Sequence, residues 1–289
     1  MSPSPIDRTL ECNGLSIHFV EWGKPSNPTV LIHHGYLDQC RAWDRVASEL
    51  ASKWHLVIPD ARGHGDSAWI GPGGTYYFPD YILDLRTLHT HLGLEPVALV
   101  GHSMGGSVVS YYAGTYPSAA WAVVLVEGLG PPDMPAAHTP ALLKRFVEGT
   151  TRWIDRPQTA LTNPEEAAER MCRWDPKMTP SRAQGLAVHA IRRKENGPLT
   201  WKYDPLHRAP MGMPFSLDRA KALWQAIEAP VLHVRGGESP FKLPDRDNRL
   251  AVFKNIEEVV IPHGGHNIHT HAEQELVLQI DEFLTRAQS

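Results

Sequence analysis

The feature that most constrains this chain is a serine flanked by glycines, placed between an apolar run and a helical pattern. Ser103 stands in the segment Gly-His-Ser-Met-Gly-Gly at 101–106, after the apolar residues 97–100 and before a predicted helix over 107–116. A sharp strand-to-helix turn forces its central residue into a strained backbone conformation, and small neighbours leave room for it. This context predicts a serine hydroxyl exposed at the end of a strand, where it can act as a nucleophile.

The hydrophobic pattern alternates between short apolar runs and helical segments along most of the chain. Two strand-like runs, 6–12 and 15–22, meet at Asn13-Gly14, a pair that favours the positive φ angles of a tight hairpin turn. The later runs are almost wholly apolar, as expected of strands covered on both faces. The sequence therefore predicts an α/β fold in which helices flank a mainly parallel, eight-stranded sheet. The other predicted strands cover 29–33, 55–59, 97–101, 121–126, 230–234 and 257–261, and the predicted helices cover 41–52, 79–92, 107–116, 246–253 and 273–285.

The alternation stops between residues 133 and 217. This segment is helical in pattern, is punctuated by prolines, and is rich in arginine and tryptophan. A chain of 289 residues can bury one large core and still carry a substantial insertion. We therefore expect a core domain made of 1–132 and 218–289, with a helical cap, or lid, over 133–217 inserted after the sixth strand.

Composition narrows the classes of partner. The formal net charge of −4 gives no overall cationic character, so nucleic acid is not an expected partner. The three cysteines are an odd count without metal-type spacing, which favours reduced thiols and a cytoplasmic location. The first residues lack the pattern of a secretory signal, and no apolar stretch reaches the length of a membrane span. We expect a monomer or homodimer that acts on a small molecule and has no membrane partner.

A nucleophilic serine needs a base within hydrogen-bond reach, and His266 is the candidate. It follows two glycines in the loop between the last apolar strand and the closing helix, at the sheet edge where open α/β folds bind their ligands. His263, His269 and His271 crowd the same loop, and we expect them at the surface. A metal site among them is disfavoured because no carboxylate or cysteine stands at a supporting spacing, so neither metal nor cofactor is expected.

Donors for an oxyanion are expected from the segment His34-Gly35-Tyr36, which follows the strand 29–33. Glycine lets the backbone turn its N–H groups toward the serine, and the Tyr36 N–H would pair with that of Met104 at the helix start. The alternative is a glycine that merely ends the strand. The residues expected to contact substrate are His34, Gly35, His102 and Trp153.

Together these motifs resemble the α/β-hydrolase fold superfamily, in its serine esterase and lipase-like branch. The resemblance rests on His33-His34-Gly35, Gly101 to Gly106, Gly264-Gly265-His266, and Asp60 to Ser67, which is similar to the D-x-R-G-x-G-x-S loop of that family. It covers nearly the whole chain apart from the cap. It implies a cofactor-free, carboxylesterase-like serine hydrolase that forms an acyl-enzyme, with the Asp60 loop as scaffold.

The chain departs from the family at the acid that orients the histidine. The family usually places this acid after the strand that here ends near Val234, and Ser239 occupies the expected position. Glu238 stands one residue early. Glu127 directly follows the preceding strand, at a strand end from which some haloalkane dehalogenases of the family draw their acid. The resemblance favours Glu127, with Glu238 as the alternative.

Several activities share the serine arrangement. Serine at the turn argues against the dehalogenases and epoxide hydrolases of the family, which resemble this fold but use aspartate there. Lactonases, thioesterases, carbon–carbon bond hydrolases and cofactor-free peroxidases stay open beside ester hydrolysis. A non-catalytic ligand-binding protein on the same fold is the alternative from a different class.

Overall fold

An eight-stranded sheet forms the centre of the molecule. The computed structural model describes residues 4–93, 96–154, 156, 158–193 and 197–289. The strands, in chain order, are β1 (Ile6–Cys12), β2 (Leu15–Trp22), β3 (Thr29–His33), β4 (His55–Pro59), β5 (Val97–His102), β6 (Ala120–Val126), β7 (Ile191–Arg193), β8 (Leu199–Trp201), β9 (Val231–Gly236) and β10 (Ile256–Ile261). The sheet order is β1-β2-β4-β3-β5-β6-β9-β10, in which β2 pairs antiparallel with both β1 and β4 and every other pair is parallel. The predicted mainly parallel α/β fold is confirmed.

Helices cover both faces of this sheet because its central strands are apolar on both sides. The helices are α1 (Asp44–Leu50), α2 (Phe78–His91), α3 (Met104–Thr115), α4 (Thr139–Ile154), α5 (Pro164–Trp174), α6 (Pro180–Ala190), α7 (Leu217–Ala226), α8 (Arg246–Leu250), α9 (Ile268–His271) and α10 (Glu273–Gln288). Every residue of β3, β4 and β5 is buried. Side chains of α1 and α10 join one apolar cluster against the sheet, and those of α2, α3 and α7 join another on the opposite face.

Two predicted helices begin three residues away from the position that the sequence pattern indicates. The segment expected to be helical over 41–52 is a short 3-10 helix, Cys40–Trp43, followed by α1. The helix after the serine begins at Met104, three residues earlier than the sequence pattern indicates. The pattern missed this turn because glycine is a poor helix former, whereas here Gly105 and Gly106 are held by close packing against other backbone segments.

The segment between β6 and β9 carries elements that lie outside the central sheet. It contains α4, α5 and α6, and also a two-stranded hairpin of β7 and β8, so it is not wholly helical as expected. α5, α6, β7 and β8 pack around an apolar cluster of their own that includes Leu161, Ala183 and Trp201. We interpret the part of this segment before α7 as the cap, because α7 belongs to the apolar cluster on the sheet. No helix within the described ranges is long and apolar enough to cross a bilayer.

The Asp60 to Ser67 loop is held by hydrogen bonds within itself and to neighbouring segments. Asp60 is buried and accepts from the backbone N–H of Cys40 at 2.7 Å and from that of Asp66 at 2.9 Å. Burial acts to raise the pKa of this carboxyl, but the hydrogen bond with His18, the nearby His34 and the Cys40 N–H together outweigh that effect and hold the pKa below its usual range. Arg62 donates twice to Asp84, both at 2.7 Å. These contacts fit the scaffold role expected of the loop.

Candidate active site

Adjacent parallel strands bring three loop positions to the same edge of the sheet. In the observed register, His102 at the end of β5 pairs with Val126 at the end of β6, and Val126 pairs with Val234 in β9. The residues that follow these strands therefore meet at the carboxyl edge. Ser103 and Glu127, which directly follow β5 and β6, are both in this position.

Ser103 occupies a strained turn between β5 and α3. Its φ of 52° and ψ of −115° lie outside the regions that non-glycine residues favour. The Ser103 N–H donates to the Val126 carbonyl oxygen at 3.0 Å, which ties the turn to the neighbouring strand. Gly105 is required because a Cβ on it would lie 2.2 Å from the carbonyl oxygen of His33. The turn holds the serine hydroxyl at the edge of the sheet.

His266 lies between the serine and a carboxylate. Its Nε2 is 2.9 Å from Ser103 Oγ, and its Nδ1 is 3.1 Å from Glu127 Oε2. A carboxylate facing Nδ1 favours the tautomer with the proton on Nδ1, which leaves Nε2 as the acceptor for the serine hydroxyl. This arrangement can remove a proton from Ser103.

Glu127 is fixed by three donors. Its Oε1 accepts from the Gly236 N–H at 2.8 Å, and its Oε2 accepts from Ser239 Oγ at 2.5 Å as well as from His266. The residue has a φ of 53°, and its N–H donates to the Val234 carbonyl oxygen at 2.9 Å. Only 4% of its side chain is exposed. A buried carboxylate with its oxygens satisfied in this way is held rigidly toward the imidazole.

Glu238 has a different environment. About half of its side chain is exposed, and it pairs with Lys177 at 2.5 Å and faces His263 at 3.4 Å. The hydrogen bond from Lys177, followed by that from His263, lowers the pKa of this carboxyl. The structure thus brings Glu127, and not Glu238, to His266. The sequence analysis identified Ser239 only as the residue at the position where the family usually has the acid. It did not predict the contact between Ser239 and Glu127.

The loop of His34, Gly35 and Tyr36 lies against the nucleophile turn. A Cβ on Gly35 would come within 3.4 Å of Ser103 Cβ and 2.7 Å of His102 Nδ1, so this approach requires glycine. Met104 is the first residue of α3, and its N–H has no acceptor within the helix. The Tyr36 hydroxyl donates to the His207 carbonyl oxygen at 2.7 Å, which connects this loop to the cap.

The rings of His34 and His102 are buried, which differs from the expected contact with substrate. His34 Nδ1 is 2.7 Å from the Gly35 carbonyl oxygen, and its Nε2 accepts from the Ala61 N–H at 2.9 Å. His102 Nε2 is 3.0 Å from the carbonyl oxygen of His266. Burial, followed by the nearby His269 and His266, holds the pKa of His102 well below its ordinary value. Both rings are placed to support the loops around Ser103.

The three histidines beside His266 are not all at the surface as expected. His263 is exposed, but His269 and His271 are buried because they bond to other parts of the fold. His269 Nε2 is 3.0 Å from Asp38, and His271 Nε2 accepts from the Gly265 N–H at 2.7 Å. The sequence offered no signal for the Asp38 contact because 231 positions separate the two residues.

Two groups of side chains have the composition of metal ligands. One comprises Asp38, His102 and His269, with one ligand atom from each within 4.8 Å of the others. The other comprises His18, Cys40 and Asp60. In both groups a carboxylate already bonds an imidazole, at 3.0 Å in the first and 2.8 Å in the second. Each group therefore works as an internal hydrogen-bond network.

One aromatic ring lies against His266, and another that was expected to contact substrate lies in the cap. The Phe241 ring is exposed and lies 4.2 Å from the His266 ring, a contact that sequence reasoning missed. Trp153, expected to contact substrate, stands at the end of α4 and lines a recess in the cap together with Trp201 and Tyr203. The structure does not bring its ring to Ser103 itself.

Comparison with known proteins gives a consistent pattern. A sequence profile described as the α/β hydrolase fold matches residues 28–271. The 3-hydroxybutyrate-oligomer hydrolase of Cupriavidus necator is 32% identical over 284 residues, which cover 92% of this chain and 93% of that protein. A serine hydrolase-like protein of Danio rerio is 24% identical, over 91% of this chain and 83% of its own length.

Solved structures share the whole architecture. The thioesterase domain from the curacin biosynthetic pathway superposes with a TM-score of 0.84 and 25% identity, covering 96% of this chain and 99% of that domain. A hypothetical protein from Pseudomonas aeruginosa superposes with a TM-score of 0.87 and 24% identity, over 97% of this chain and 99% of that one.

Proposed function

Given that the chain belongs to the α/β hydrolase fold family and is a hydrolase, we propose that it cleaves carboxylic esters through an acyl-enzyme formed on Ser103. The observation that carries this proposal is the continuous contact from Ser103 Oγ to His266 Nε2 and from His266 Nδ1 to Glu127. Such a series of hydrogen bonds makes a weakly nucleophilic hydroxyl an effective nucleophile at neutral pH.

In the first half of the reaction, Ser103 Oγ attacks the ester carbonyl carbon while its proton passes to His266 Nε2. The bond between that carbon and the leaving oxygen then breaks, and His266 returns the proton to the leaving alcohol. Glu127 stabilises the imidazolium that exists between these two transfers. The products of this half are the free alcohol and an ester of Ser103.

In the second half, water takes the place of the alcohol. His266 Nε2 removes a proton from the water, whose oxygen bonds to the acyl carbon. The bond to Ser103 Oγ breaks, the serine regains its proton from His266, and the carboxylic acid leaves. No cofactor is needed, because every proton that is removed is returned within the same turnover.

The negative charge on the carbonyl oxygen is assigned to two backbone donors, the N–H groups of Tyr36 and Met104. The close approach of Gly35 to Ser103 supports the first, and the position of Met104 at the helix N-terminus supports the second. Removal of one such donor typically costs about 100- to 1000-fold in turnover.

Ester cleavage is favoured by the relative from Cupriavidus necator, because an oligomer of a hydroxy acid is joined by ester bonds. A thioester is the second candidate, favoured by the similarity to the thioesterase domain of the curacin pathway. The same serine chemistry serves both, since only the leaving atom differs. Relative kcat/KM values on matched p-nitrophenyl esters, lactones and acyl thioesters separate the candidates.

Labelling with a fluorophosphonate probe tests the nucleophile directly. The wild-type protein should be labelled at Ser103, and Ser103→Ala should not. Thermal unfolding of Ser103→Ala serves as the folding control. An unlabelled wild-type protein, or equal labelling of a folded Ser103→Ala, would contradict the proposed function.

A further inference from the structure

The cap contains an open recess with aromatic walls, and the two charged side chains among the described residues of its lining are both cationic. Its volume is about 360 Å³, including the open space at its mouth. Two guanidinium groups, those of Arg156 and Arg208, stand among aromatic rings. The lining residues are Trp153, Arg156, Gln158, Thr159, Trp201, Tyr203, Pro205 and Arg208.

Both arginines lie over aromatic rings. The Arg156 guanidinium stacks over the Trp153 ring at 4.5 Å, and Arg208 stacks over the Tyr203 ring at 5.3 Å while donating to its hydroxyl at 2.7 Å. Within the ranges that the structure describes, no carboxylate forms an ion pair with either one. Both arginines are exposed to solvent, so among the described residues the recess presents accessible positive charge without a carboxylate partner.

The recess is connected to the candidate active site through Tyr36. This residue follows Gly35 beside the nucleophile turn, and its hydroxyl bonds the carbonyl oxygen of His207, the neighbour of Arg208. The charge of Arg208 is close enough to act on the Tyr36 hydroxyl, where burial raises the pKa and Arg208 opposes that rise. Residues next to Ser103 and next to Arg208 are thus linked through one side chain, that of Tyr36.

From this geometry we propose that the recess binds a carboxylate at the far end of the substrate, so that the preferred ester carries a free acid group remote from the scissile bond. Arg208 supplies a forked donor to that carboxylate, and Arg156 adds a second positive charge. Apolar chain atoms between the two ends pack against the aromatic walls. This inference rests on the proposed function and assigns its substrate class.

The contact between Arg208 and Tyr203 leaves other N–H donors of the guanidinium available to a ligand. Arginine carries five N–H donors, and the Tyr203 hydroxyl accepts from one nitrogen. That contact instead fixes the side chain in one orientation, which lowers the entropy lost when an anion binds. The arrangement is that of a preoriented cation with donors to spare.

The test compares pairs of p-nitrophenyl esters of equal length, one with a neutral acyl chain and one whose acyl chain ends in a carboxylate. Pentanoate and hexanoate esters form the neutral arm, and the hydrogen glutarate and hydrogen adipate esters of the same carbon number form the charged arm. Arg208→Gln should raise KM for the charged esters about tenfold and leave kcat/KM for the neutral esters within a factor of two. Arg156→Gln should act in the same direction and more weakly.

Two control variants separate charge from structure. Arg152 lies in the last turn of α4, near Trp153, but does not line the recess. Arg152→Gln should therefore leave KM unchanged for both the neutral and the charged esters. Arg208→Lys keeps the charge but loses the fork, so it should restore only part of the affinity. Raising the ionic strength should increase KM for the charged esters alone.

The outcomes are distinguishable. Loss of selectivity for the charged esters in Arg208→Gln, with neutral esters unaffected, supports the carboxylate site. Equal KM values for charged esters in wild type and Arg208→Gln overturn it and leave ester hydrolysis standing. If the wild-type protein cleaves neither arm and resists the fluorophosphonate probe, the proposed function fails instead.

Discussion

Ser239 donates its hydroxyl proton to Glu127 Oε2 at 2.5 Å, although 112 positions separate the two residues along the chain. The two lie on neighbouring strand ends, Glu127 after β6 and Ser239 after β9. One strand end thus carries the carboxylate, and the other carries a hydroxyl that orients it. This relationship explains how a serine can stand where the family usually has an acid.

The first prediction concerns the acid. Glu127→Gln should lower kcat by about 10³- to 10⁴-fold, because an amide cannot stabilise the imidazolium of His266 and can favour its wrong tautomer. Circular dichroism should show an unchanged fold. Glu238→Gln is the matched control, and its kcat should stay near that of wild type because Glu238 bonds Lys177 at the surface. The reverse pattern would reassign the acid to Glu238.

The second prediction moves the acid to the other strand end. Glu127→Asn alone should be as impaired as Glu127→Gln, since Asn tolerates the positive φ but carries no charge. Adding Ser239→Asp should recover part of the lost kcat, because the side chain of residue 239 already reaches within 2.5 Å of the Glu127 carboxylate. A double variant no faster than Glu127→Asn would show that the geometry at 239 does not suit an acid.

The third prediction concerns a glycine of the nucleophile turn. Gly105→Ala should destabilise the protein by about 2 kcal/mol or more, because its Cβ would lie 2.2 Å from the His33 carbonyl oxygen and the backbone must shift. Gly185→Ala in α6 is the matched control. It has no neighbour within 4 Å of the added Cβ and should gain about 0.5–1 kcal/mol. Urea unfolding of both variants provides the measurement.

The fourth prediction concerns pH and two histidines, His33 at the end of β3 and His207 in the cap. Burial lowers the pKa of His33 and of His207 from 6.5 to about 3. The unfolded chain therefore binds more protons than the folded chain between these pH values. The contribution of each neutral histidine to the free energy of unfolding is complete above pH 6.5 and is lost as the pH falls toward 3. Each such group contributes a slope of about 1.4 kcal/mol per pH unit in this range.

His207→Phe tests that slope. The ring stacks between those of His64, at 4.1 Å, and Tyr76, at 3.7 Å, and phenylalanine keeps the stacking without titrating. The free energy of unfolding of His207→Phe should fall less steeply than that of wild type between pH 6.5 and 4.5, and the two proteins should run parallel above pH 7. Identical slopes at low pH would contradict the burial of a neutral His207.

Much of the fold followed from local patterns. The apolar runs predicted central strands such as β3, β4 and β5 because a strand covered on both faces must be apolar along its length. The nucleophile turn could also be predicted from the local sequence, because strand, glycines and helix are contiguous around Ser103. The β7 and β8 hairpin was missed because three-residue strands are too short to show a period.

The sequence by itself determined which residues could serve as nucleophile and base, since Ser103 and His266 each sit in a local motif at a strand end. Only the tertiary structure decided which glutamate faces His266. That choice depends on β6 and β9 being neighbours in the sheet, so that Glu127 accepts from Gly236 and Ser239, which lie 109 and 112 positions further along the chain. Glu238 lies nearer to His266 in sequence, but its side chain points to Lys177 and solvent. Sheet order, and not distance along the chain, places the carboxylate.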